Sequence, residues 1–138
     1  MVKMISSTIY NLLSNNVDLT SKLAIMDGLP AIYKLWAVED SLMPYIVYRL
    51  EENKGFEHPY KSEFTLYIDV WDYNENTMID ASNISDVLKL MLNNIMLEHP
   101  KYGAVQGWLF SRGQMQSDTP GIQHIVHQFR IHAWDKEI

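Results

Sequence analysis

The chain has 138 residues, 47% of them hydrophobic and 20% charged, a balance that excludes a disordered polypeptide and suits one globular domain hiding roughly two-thirds of its unfolded surface. No cysteine is present, which excludes disulfides and thiolate metal sites. A formal net charge of −6 without a basic run argues against a surface that gains affinity by neutralising phosphates.

The apolar stretches fall short of the roughly 18 residues needed to span a bilayer, and MVKMISSTIYNLLSNN lacks a signal peptide's continuous apolar centre. The expectation is a soluble cytosolic product with nothing to be cleaved. Val2, Ile5, Ile9, Leu12 and Leu13 fall on one stripe of a helix over about Val2 to Asn15. Asn15 and Asn16 end it, and Asp18 is placed to cap a short second turn through Lys22 or Leu23. Gly28 and Pro30 make Met26 to Pro30 a loop. Ala31 to Val38 is read as a short strand, and Tyr45 to Glu51 as a second strand that opens after Pro44.

Glu52 to Tyr60 is too polar and broken for a strand interior and is read as a long hairpin loop. Lys61 to Tyr73 follows as the central strand. Within it Phe64, Leu66, Ile68 and Val70 form a core face, because side chains alternate with a period of two. Thr65, Tyr67, Asp69, Trp71 and Tyr73 form the other face, where large rings sit among polar groups.

Thr77 and Asp80 stand in capping-box spacing ahead of a helix over Met78 to Leu97, with Pro100 as its limit. Ala104 to Arg112 is the next strand and Gly113 to Gly121 a mobile loop. The last strand, Ile122 to Trp134, sets Ile125, His127, Phe129, Ile131 and Ala133 against His124, Val126, Gln128, Arg130, His132 and Trp134. The order helix, three strands, long helix, two strands implies an α+β domain. Its mainly antiparallel sheet of four to five strands would carry the amino-terminal helix and the long helix on one face.

Catalytic and metal constellations are weak. His124 and His132 share a strand face but lie eight residues, about 26 Å, apart, while His127 points the other way; all three are read as strand-surface or interface histidines. Ser111 has no base placed by sequence, and G-x-S-x-G is absent. The carboxylate pairs Glu51 with Glu52 and Asp69 with Asp72 are read as solvated. No cofactor, metal or catalytic residue is expected.

Eight tyrosines and four tryptophans carry more weight, since Tyr67, Trp71 and Tyr73 recur on one face of one strand. Either they are cross-strand pairs half covered by loops, or they meet another subunit. Two helices are too few to cover both sheet faces, which favours the subunit contact. Arg130 and Trp134 on the last strand join them as candidate interface residues.

The helix IYNLLSNNVDL, the segment IYKLWAVEDSLMPYIVYRLEE, the strand FTLYIDVWDYN, a long helix and two closing strands together resemble the tail-completion proteins of long-tailed bacteriophages. These are also called tail terminators or head-to-tail joining proteins. Asp72 and Tyr73 depart from the family's pattern, in which a small residue often follows V-W. The resemblance implies a non-enzymatic virion protein at the head–tail junction, assembled in the host cytoplasm. It would form a ring, commonly of six copies, that caps the tail tube and meets the head connector.

DNA would pass through that ring without specific binding, and the acidic charge suits such a lumen. The loops Glu52 to Lys61 and Gly113 to Gly121 become candidates for docking to the tube or connector, through Lys54, Gly55, Phe56, Glu57 and His58 in one and Gln114, Met115, Gln116, Ser117 and Asp118 in the other. They serve equally as plain hairpin connections. The competing functions are a small-ligand-binding or catalytic α+β domain with its pocket on the aromatic face, and a monomeric protein-binding adaptor.

Overall fold

The computed structural model describes residues 2–53, 60–74, 79–99, 103–115, 117 and 119–134. Helix α1, Val2–Ser14, buries Ile5, Ile9 and Leu13, the stripe that three- and four-residue spacing predicts. The next helix, α2 (Val17–Thr20), starts two residues earlier than a cap at Asp18 would dictate. Asn16 is its cap, its side chain accepting from the Leu19 N–H at 2.9 Å, because the N-cap carbonyl group must sit ahead of the first helical residue.

The expected loop over Met26 to Pro30 is a miniature hairpin instead. Strands β1 (Ile25–Met26) and β2 (Leu29–Pro30) pair across Asp27 and Gly28, whose φ angles are 53° and 79°. An Asp-Gly pair with both φ values positive is the tight turn that matches strand twist. Strand β3 is short, Ile32–Lys34, because Leu35 takes a φ of 73° and turns the chain away.

Strands β4 (Tyr45–Glu52) and β5 (Lys61–Tyr73) follow, then helix α3 (Ile79–Leu92), β6 (Ile95–His99), β7 (Gly103–Met115) and β8 (Ile122–Trp134). Among the described residues the main sheet has six strands in the order β3-β4-β5-β8-β7-β6. All neighbours are antiparallel except β3 and β4. The sheet is therefore mixed, with one strand more than the upper expectation and a separate two-stranded sheet. The extra strand is β6: the expected helix to Leu97 stops at Leu92, where Asn94 adopts φ 58° and the apolar run IML resumes as a sheet edge.

One face of the sheet carries the core. Phe64, Leu66, Ile68, Val70, Phe129 and Ile131 are fully buried against Ile84, Leu88 and Leu92 of α3 and the stripe of α1. Gly107 lies where α3 ends over β7. A Cβ there would stand 2.9 Å from Ile131 Cδ1 and 3.3 Å from Ile95 Cγ1, so the close approach needs a residue without one.

Strand β7 runs on to Met115, so Gln114 and Met115 are strand residues rather than part of a docking loop. A bulge between Leu109 and Ser111 keeps them in register with β8. Ser117 lies past the strand. Lys54, Gly55, Phe56, Glu57, His58, Gln116 and Asp118 lie outside the described residues.

Candidate functional site

The helices leave the opposite sheet face open, and its aromatic residues are organised across strands. Tyr45, Trp71 and His124 occupy one register row of β4, β5 and β8. The Trp71 ring stacks on His124 at a centroid distance of 3.6 Å and faces Tyr45 at 6.4 Å. Tyr33 meets Tyr45 edge-on at 5.8 Å. His124 Nε2 lies 3.1 Å from Asp69 Oδ2. Four rings thus form a ladder across the sheet, in cross-strand pairs of the kind that stabilise a pleated surface.

A polar hub stands further along the same face. Glu63 accepts hydrogen bonds from Asn53 Nδ2 at 2.6 Å and Arg130 at 3.1 Å, and its other oxygen is 2.9 Å from His132 Nε2. Burial alone would raise the Glu63 pKa, but Asn53, His132 and Arg130 outweigh it and hold the carboxyl below its ordinary value. The Arg130 guanidinium lies 4.3 Å from the Phe110 ring centre, and Trp108 packs edge-on to His132 at 4.7 Å.

All five predicted interface residues are on this face, but they do not form one compact group. Tyr67, under the Arg49 guanidinium at 4.3 Å, and Trp71 lie near its middle. Tyr73 is 52% exposed at one end. Trp134, with Lys61 Nζ 4.7 Å from its ring centre, lies opposite Lys61 at the far end, about 40 Å from Tyr73 at strand rise. Between them is a trough of about 380 Å³ whose walls include Val47, Arg49, Tyr67, Asp69, Met115 and Gln128. Its two charged side chains are engaged already, Arg49 with Glu51 at 3.6 Å and Asp69 with His124.

Two polar groups contradict the sequence reading because they are buried. His127 is not a surface histidine but a core residue, with no exposed area. Its Nδ1–H donates to the Ile68 carbonyl at 3.0 Å, which leaves Nε2 to accept from the Ser85 hydroxyl at 2.6 Å. Burial pushes its pKa down, and the Arg112 charge adds to that. Arg112 in turn donates to Ser85 Oγ at 3.3 Å and Asp86 at 3.0 Å. This chain ties α3 to three strands, and nothing in the sequence announces a pair 42 residues apart. Asp72 is buried rather than solvated, with Oδ1 accepting from the Tyr73 N–H and Oδ2 without a partner among the described residues. Burial raises its pKa.

Among the described residues no His, Asp and Glu side chains group to hold a metal ion, and no helix is long and apolar enough to cross a membrane. The class defined by these features is an α+β layer protein whose sheet is packed by helices on one side and presents an aromatic, charge-laced surface on the other. Neither a family model nor a curated protein matches the chain. Among solved structures, a chain from the virion of a native gene transfer agent particle has the same fold, with TM-score 0.75 and 12% identity over 96% of both chains. A second, a protein designated only by a sequence identifier, aligns with TM-score 0.66 and 12% identity over 99% of this chain and 96% of that one.

Proposed function

We propose that this chain is a structural protein of a phage-like virion and acts, without enzymatic activity, in tail completion. The observation that carries the proposal is the end-to-end match of fold with a chain of the gene transfer agent virion, at 96% coverage of each. The open aromatic face supports it, since a surface of stacked rings and paired charges is suited to a wet, specific protein contact. In this reading copies form a ring at the head–tail junction that caps the tail tube and meets the head connector. Tyr67, Trp71, Tyr73, Arg130 and Trp134 lie at or near subunit contacts.

The lumen passes DNA without holding it, for which the net charge of −6 is suited. A strongly basic inner wall in the assembled ring contradicts that part. Mass measurement of the purified protein, alone and mixed with tail tubes, tests the whole: rings or capped tubes are expected. Virions assembled without the protein should have tails of abnormal length or heads that fail to attach. A strictly monomeric protein that never caps tubes, together with normal virions in its absence, would sink the proposal.

A further inference from the structure

The sheet carries two bare lengths of edge. On β4, the Ile46 N–H donates to the Ala31 carbonyl at 3.0 Å and the Tyr48 carbonyl accepts from the Leu35 N–H at 2.9 Å. The even-numbered residues therefore turn their peptide groups outward. Pairing with β3 stops at Tyr48, so the outward groups of Leu50 and Glu52 have no strand partner among the described residues.

On β7, pairing with β6 stops at Gly107, and the outward Leu109 N–H is taken by the Asn93 side chain at 2.9 Å. Past the bulge the alternation resumes with Arg112 and Gln114 turned outward, opposite His127 and Ile125. Residues 110–115 are all exposed; they contain no proline or lysine, and the guards they carry are the bulge at Phe110 and the charge of Arg112.

We infer that these two edges pair with each other between copies of this chain, the β4 edge of one antiparallel to the β7 edge of the next. The inference deepens the ring reading above and rests on it. Face and hydrogen-bond direction choose the register together, since a slip of one residue would reverse both. Leu50 and Glu52 lie on the helix side, as do Arg112 and Gln114. Pairing Leu50 with Gln114 and Glu52 with Arg112 exchanges their free backbone bonds and brings the Glu52 carboxylate beside the Arg112 guanidinium.

Arg112 spends one nitrogen on Asp86 and Ser85 and keeps further donors for that carboxylate. Arg49 and Glu51 then fall opposite Met115 and Gly113 on the open face, which becomes continuous from copy to copy. The lengths that pair lie outside the reach of both short strands. In each copy β3 covers Ile46–Tyr48 of β4 and β6 covers Gly103–Gly107 of β7, which leaves Leu50–Glu52 and Arg112–Gln114 uncovered by either.

Within one copy Glu51 is level with Arg130, and Gly113 with Val126. The neighbour is therefore displaced by four residues, about 13 Å along the strands. Such a contact joins two different surfaces, and repeated with a rotation it closes into a ring.

The cysteine-free chain makes the register testable. Glu51→Cys and Gly113→Cys place two thiols at a non-hydrogen-bonded pair, about 4.5 Å between Cα atoms, and a Cβ at Gly113 meets nothing within 4 Å. On mild oxidation the double variant should give a ladder of disulfide-linked oligomers up to the ring number. A mixture of the two single variants should stop at dimers, and Arg49→Cys with Gly113→Cys should give no ladder. In a separate variant, Gln114→Pro removes an outward N–H while sparing the β8 ladder; it should leave a folded monomer that no longer assembles. Rings that form by mass without the ladder, or that form normally from Gln114→Pro, overturn the edge pairing and leave the ring reading standing. Failure of the unaltered protein to assemble, alone or with tail tubes, overturns both.

Discussion

Replacing Trp71 by alanine separates a role in the fold from a role in assembly. The indole contacts His124 on one side and Tyr45 on the other and is only partly buried. Cross-strand aromatic contacts contribute about 0.5–1 kcal/mol each, so two of them make the expected loss for the isolated chain about 1–2 kcal/mol. A tryptophan in a closed core would cost about 3–5 kcal/mol. Against a total stability of about 5–15 kcal/mol, the variant stays folded, with a melting temperature lower by roughly 3–8 °C. At a subunit contact the same ring is a candidate hot spot of about 2 kcal/mol or more, a thirtyfold weakening per contact that repeats around a ring. Circular dichroism melts of the monomer and mass measurement with and without tail tubes read the two effects separately. Assembly at unaltered concentration would show that Trp71 lies away from the contact; an unfolded monomer would show that the aromatic face belongs to the core.

Other outcomes follow from the buried polar groups and the close packing. His127 is held neutral by burial, with its pKa lowered, while the unfolded chain takes up a proton near about pH 6.5. Stability is therefore fully present above that pH and falls below it, by up to about 2 kcal/mol at pH 5 while the ring stays neutral. Urea unfolding of the protein and of His127→Gln at pH 7 and pH 5 should show a smaller loss for the variant; equal losses refute the assignment. Asp72 has a raised pKa and one bare oxygen, so its charge opposes folding above the ordinary carboxylate range. Asp72→Asn should raise stability at pH 7 by about 1 kcal/mol and have no such benefit near pH 3, again by urea unfolding. Gly107→Val should destabilise by about 1–3 kcal/mol through contacts with Ile131 and Ile95, read as a lower melting temperature.

Strands with one buried face were legible in the residues. The bounds of β5 and β8 are those expected, because long runs alternating about Phe64–Val70 and Ile125–Ala133 leave no other period, even with polar Asp72 and His127 on the buried face. The elements misread are those whose neighbours, not their own pattern, decide them. Leu92-Asn-Asn-Ile-Met-Leu continues a helical stripe as well as it begins a strand, and only the left-handed Asn94 and the waiting edge of β7 settle the matter. Gly113 to Met115 reads as loop because an exposed edge needs no apolar alternation. Gly28 and Pro30 read together as loop punctuation, while the structure uses Asp27 and Gly28 as the turn of a two-residue hairpin. Of the candidate site, the parity of Tyr67, Trp71, Tyr73, Arg130 and Trp134 was readable, but their spread along the face depends on register. The Ser85–His127 contact depends on which helix turn lands over which strand.

The extra residue at Phe110 behaves as a parity bit for the rest of β7. Were Phe110 paired instead of bulged, continuous alternation would set Arg112 opposite Val126 on the open face, away from Ser85 and Asp86. Leaving one residue out of the pairing thus decides on which side of the sheet a cation stands, and it does so without altering the register of β8 with β5. Length changes in this strand are consequently not equivalent. A deletion at the bulge would be absorbed with the pairing downstream intact, whereas the same deletion a few residues later would turn every following side chain to the wrong layer.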